Sequence, residues 1–111
     1  MIKSLLKKFS YTCSGIRETW RSEPSFRQWF VLVLISDLSA LYFLTTKIEI
    51  ILILVLGWLL LASELINTAV EAVVNLVSPD YHILAKKSKD AASAMTFLTF
   101  LTILTSWLAF L

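Results

Sequence analysis

The chain has 111 residues, of which 58% are hydrophobic and 16% charged, with a formal net charge of +2. A mean hydropathy of +0.78 lies outside the soluble range and the length admits at most one domain, 1–111. The composition is that of an integral membrane protein, and no nucleic-acid partner is expected.

In residues 1–22, Ile2, Leu5, Leu6, Phe9, Cys13, Ile16 and Trp20 recur at helical steps and form one apolar face, while Lys3, Lys7, Lys8, Arg17 and Arg21 occupy the others. A basic amphipathic helix of this kind lies in the membrane surface, held by apolar burial and by anionic headgroups. Gly15 marks either a weak point in this helix or a close approach. Basic residues interrupt the segment too often for a cleaved leader, so none is expected. The single Cys13 cannot form an intrachain disulfide. Ser22-Glu23-Pro24 ends the helix, because the residue before a proline is pushed out of the α region and proline suits the first turn of a new helix. Glu23 at this corner either favours the following helix N-terminus or takes part in catalysis.

Three stretches are apolar and long enough to cross a bilayer as helices: 29–46, 48–77 and 91–111. The first carries Asp37 near its middle, a carboxylate that must be protonated, bonded to Ser36, Ser39 or a neighbouring helix, or displaced toward water. Ser78-Pro79-Asp80 breaks the chain after the second span, and 78–90 reads as a loop. Lys3, Lys7, Lys8, Arg17, Arg21 and Arg27 precede the first span and Lys86, Lys87 and Lys89 precede the third, but only Lys47 lies between the first and second. The positive-inside rule then puts the N-terminus and the 78–90 segment in the cytoplasm and the C-terminus outside.

The second span holds the most informative pattern. Glu64, Asn67 and Glu71 lie three and four residues apart, hence within about 60° of one another on one helical face. Carboxylates in such a run cost about 2.5–3.5 kcal/mol each to insert. Either neighbouring helices or a water-exposed end compensate them, or the stripe binds cations or moves protons. A polar face that three helices can hardly enclose also predicts a homo-oligomer.

Glu23, the stripe and the Lys89–Asp90 pair all fall on the cytoplasmic side. Acids for a divalent cation, a lysine for phosphate and an embedded face together suggest phosphoryl transfer to a lipid. With only Gly15 and Gly57 in the chain, neither a Walker A loop nor a kinase glycine-rich loop is possible, so any nucleotide is held in another way.

The run ELINTAVEAVV, followed by DYH and KSKDAASA and preceded by SEPSFRQ, resembles the small bacterial diacylglycerol kinase family, which includes the undecaprenol kinases. The resemblance covers nearly the whole chain. It implies an all-α inner-membrane homotrimer, each subunit with an N-terminal surface helix and three transmembrane helices, and active sites shared between subunits. It implies transfer of the γ-phosphoryl group of ATP, with Mg²⁺, to the hydroxyl of diacylglycerol, giving phosphatidic acid. In that scheme Glu64 is the general base facing the lipid hydroxyl and Asn67 orients groups on the stripe. Glu71 and Glu23 hold the divalent cation on the nucleotide, and Tyr11, Tyr81, His82, Lys89 and Asp90 supply further nucleotide contacts. Arg17, Trp20, Phe26, Arg27, Gln28 and Ser93 fall where the family contacts its lipid.

The chain departs from the family's usual pattern at Asn75, where Asp is common, at Trp29, where Glu commonly follows FRQ, and at Asp37. The base and metal positions are intact. Two alternatives stand beside diacylglycerol kinase: an undecaprenol kinase of the same family, and a non-catalytic membrane subunit or transport protein whose acids bind protons or cations.

Overall fold

A computed structural model describes all 111 residues and contains four helices and no strand: α1 (Ile2–Ser22), α2 (Pro24–Phe43), α3 (Lys47–Val77) and α4 (Ile83–Phe110). The last three are long and apolar enough to cross a membrane. In α1 the apolar residues Ile2, Leu5, Leu6, Phe9, Ile16 and Trp20 are all exposed. The chain itself does not cover that face, in keeping with a helix whose apolar side is met by lipid. A Cβ at Gly15 would meet nothing within 4 Å, so no close approach explains that glycine.

The corner forms at Glu23, whose backbone is extended at φ −116°, ψ 100°, and Pro24 opens α2. Three contacts fix its angle. Phe26 is buried and meets Trp20 edge-on at 6.3 Å, Trp20 also packs edge-on against Phe30 at 5.2 Å, and the Arg27 guanidinium donates to the carbonyls of Trp20 and Arg21. The last contact satisfies carbonyls that the end of α1 leaves free.

α3 is the central element, packed by α2 on one side and α4 on the other. One cluster joins Val33, Leu60 and Ile103, with Trp29, Phe100 and Trp107 against it, and a second joins Ala40, Leu44 and Ile53. Only 14 of 111 residues are buried. The remaining apolar surface is therefore not covered within the chain, as suits helices that cross lipid. At 1.5 Å per residue the 31 residues of α3 extend about 46 Å, about 16 Å more than the hydrocarbon thickness. Counted from Lys47, about 20 residues fill the hydrocarbon, which brings Glu64, Asn67 and Glu71 to its far boundary. This geometry answers much of the insertion cost.

Gly57 is required where α2 crosses α3. A Cβ there would lie 2.8 Å from Val33 Cγ1 and 3.3 Å from Asp37 Oδ1. Val33 is buried and β-branched, so it has no alternative rotamer to retreat into. Gly57→Ala is expected to destabilise the bundle by about 1–3 kcal/mol, read as a lower unfolding midpoint in detergent.

The structure corrects one sequence expectation and narrows another. Asp37 Oδ1 is buried without a hydrogen-bond partner, which removes the bonded option and leaves the others open, and the neighbouring Ser36 hydroxyl accepts from Trp107 Nε1 at 2.9 Å. The 78–90 segment is mostly helix: α4 starts at Ile83, capped by His82, whose Nδ1 accepts from the Leu84 N–H at 3.1 Å. Hydropathy marks the part of a helix that sits in lipid, whereas α2 and α4 each begin with polar turns ahead of their apolar stretches.

Candidate functional site

The stripe on α3 holds two of the chain's five buried polar side chains, one of them its only buried carboxylate residue. Glu64 is 3% exposed and Asn67 8%, and Glu71, farther along the helix, is half-buried. Glu64 Oε1 accepts from the Ser25 hydroxyl at 2.7 Å, tying the stripe to the first turn of α2. The Thr68 hydroxyl donates to the Glu64 carbonyl at 3.0 Å. On the α4 side, the buried Ser63 hydroxyl bonds the Leu60 carbonyl at 2.6 Å and lies 3.5 Å from Thr96 Oγ1. Asn67 Oδ1 is buried and has no partner. A buried unpaired acceptor costs about 1–3 kcal/mol, and no hydrogen bond within the chain offsets that cost.

The remaining expected site residues divide into separate regions. Glu23 is half-buried at the corner. Tyr81, His82, Lys89 and Asp90 line one hollow with Ser78 and Lys86 where α3 passes to α4. There Asp90 already pairs with Lys86, and His82 serves as the α4 cap. Tyr11 lies elsewhere, in a groove between α1 and α3 beside Thr19, Thr68 and Ala72. One chain thus does not gather all the expected nucleotide contacts into a single pocket. Of the expected lipid contacts, Arg17, Gln28 and Ser93 are exposed, whereas Phe26 is core and Arg27 caps α1. Arg27 and Gln28 also line a shallow hollow with Pro24 and Val31.

No three His, Cys, Asp or Glu side chains converge within the chain to enclose a metal ion. Mg²⁺ on a nucleotide does not need such an enclosure, since it takes one or two carboxylates with phosphate oxygens and water. Two half-buried glutamates, Glu23 and Glu71, suit that role chemically.

The sequence reading overlooked Ser25. Its signal was a hydroxyl at the second position of a helix that opens directly after a proline corner, where side-chain hydrogen bonding is favoured.

Comparison with known proteins gives the frame for this geometry. The family model for prokaryotic diacylglycerol kinase matches residues 10–111. The chain belongs to this family. Among curated relatives it is similar to the diacylglycerol kinase of Escherichia coli strain K12, 30% identical over 107 residues that span 96% of this chain and 88% of that protein. It is also similar to the Helicobacter pylori strain 26695 diacylglycerol kinase, 36% identical over 83% of this chain and 72% of the relative. The Pseudomonas aeruginosa diacylglycerol kinase is 32% identical over 99% of this chain and 89% of its own length. The chain is therefore a kinase of the membrane-lipid class and uses ATP. In this kinase the buried polar stripe and the corner opposite it are the only place where an embedded acid meets the end of a second helix through a hydrogen bond.

Proposed function

We propose that the kinase transfers the γ-phosphoryl group of MgATP to the hydroxyl of diacylglycerol, forming phosphatidic acid at the cytoplasmic face of a bacterial inner membrane. The observation that carries this is Glu64, a carboxylate only 3% exposed that lies about 20 residues along α3 from Lys47, the length that fills the hydrocarbon. Its role is general base, taking the proton from the acceptor hydroxyl as the new O–P bond forms and the bond from the γ-phosphorus to the departing ADP breaks. Asn67, with its unpaired oxygen, orients a group on the same stripe. Glu23 and Glu71 hold the divalent cation, which when bound neutralises charge on the phosphates. Tyr81, His82, Lys89 and Asp90 meet the nucleotide at the α3–α4 turn, with Tyr11 contributing from α1. Arg17, Trp20, Phe26, Arg27, Gln28 and Ser93 form the lipid side.

Separate placement of Tyr11 and the turn residues within one chain, together with extensive exposed apolar surface, supports a homotrimer with shared sites. The N-terminus faces the cytoplasm on the charge distribution. The test is to supply reconstituted protein with labelled MgATP and, side by side, a short-chain diacylglycerol and undecaprenol. Faster labelling of diacylglycerol is expected, together with a three-chain species on crosslinking in mild detergent. Preferential labelling of undecaprenol would reassign the acceptor, no labelled lipid from folded protein would overturn the reaction, and a fully active monomer would overturn shared sites.

A further inference from the structure

The geometry points to Ser25 as a positioning residue for the acid on the stripe: its hydroxyl holds one oxygen of the Glu64 carboxylate and leaves the other for the lipid hydroxyl. The inference rests on Glu64 being the base. A glutamate side chain turns about three bonds, and an acid that must meet a mobile lipid hydroxyl gains from having that freedom removed in advance. In the structure one group does this from outside α3, the Ser25 Oγ at 2.7 Å from Glu64 Oε1.

Ser25 can hold the carboxylate because it is itself held. It stands between Pro24, which opens α2, and Phe26, which is 4% exposed and locked against Trp20. The Phe26 N–H donates to the Glu23 carbonyl at 3.1 Å, and two residues after Ser25, Arg27 bonds the end of α1. The hydroxyl therefore sits on a rigid helix start braced by a second helix. Glu64 is in turn set in the middle of α3, with Thr68 bonding its carbonyl. Two rigid elements meet through one charge-assisted hydrogen bond, which is stronger and more directional than a neutral one. The same contact makes the α1–α2 corner, and hence Glu23, sensitive to the position of the stripe.

The experiment compares S25A, S25T, E64Q and the S25A/E64Q double variant, with S22A as control, all reconstituted in the same lipid. Ser22 bonds only the Glu18 carbonyl on its own helix and should behave as wild type. S25A removes one oxygen atom, and its unfolding midpoint in detergent checks that the bundle persists. We expect S25A to lower kcat about tenfold, the scale of one lost hydrogen bond to a charged group, with KM for MgATP changed less than twofold. S25T, which keeps the hydroxyl, should restore most of kcat, and S25A should add nothing in the E64Q background, because the interaction acts only through the carboxylate. If E64Q is inactive but S25A turns over as wild type, the positioning role falls while the base stands. Equal losses in S25A and S25T, or a KM for MgATP rising in step with the loss, would make Ser25 a structural part of the corner and overturn the inference. A near-wild-type E64Q would remove the base, and this role with it.

Discussion

Glu64→Gln is expected to lower lipid phosphorylation by about 10²–10⁴, the usual contribution of a general base, while leaving MgATP binding close to wild type. The substitution is nearly isosteric, and the amide retains an oxygen that can accept from Ser25 as Glu64 Oε1 does now. What it loses is the second acceptor: an NH₂ group cannot take the proton of an alcohol. Removing a potential charge from a site 3% exposed favours insertion if anything, so the unfolding midpoint should hold or rise while activity collapses. Turnover with labelled ATP, nucleotide binding and thermal unfolding in one detergent check the three parts. A rate near that of the parent would return Glu64 to a structural role.

Glu71→Gln and Glu23→Gln should behave differently. Both should shift the Mg²⁺ dependence of the reaction to higher concentration by about ten- to a hundredfold or more, since losing even an outer-sphere partner of a bound metal has an effect of that size. Both should weaken nucleotide binding as well, because a carboxylate that holds the cation also lowers the cost of bringing phosphates beside acids. Each glutamate is only half-buried, so neither change should unfold the chain. The check is a rate-versus-Mg²⁺ titration for the two variants beside Glu64→Gln, whose midpoint should stay where it is. An unmoved midpoint in Glu71→Gln would remove it from the metal set.

Much of this architecture is visible in the sequence because its signals are local. The Ser22-Glu23-Pro24 break depends on proline sterics alone and appears where expected, with α1 ending at Ser22 and Pro24 opening α2. The stripe follows from helical spacing, and the structure buries Glu64 and Asn67 together. What hydropathy missed is polar helix: 78–90 is charged and broken by a proline, yet His82 capping and the Lys86–Asp90 pair carry α4 back to Ile83. The Ser25–Glu64 bond spans 39 residues, and the demand for glycine at 57 comes from Val33 on another helix. Neither is encoded in a window of sequence. Ser36 illustrates the same limit, since nothing in its sequence neighbourhood shows that it accepts from Trp107 of α4, 71 residues on.

With Glu64 as the proposed base, the overshoot of α3 would tie the chemistry to the thickness of the surrounding bilayer. A helix of 31 residues in hydrocarbon of about 30 Å leaves its last turns in the headgroup layer, and the depth of Glu64 is set by where that layer begins. In a thicker membrane the acid is drawn into hydrocarbon unless the bundle straightens or the lipid thins around it; in a thinner one it stands above the acceptor hydroxyl unless the helices tilt. The hydrocarbon span would then act as a ruler, and lipids of graded chain length would grade how well acid and headgroup coincide.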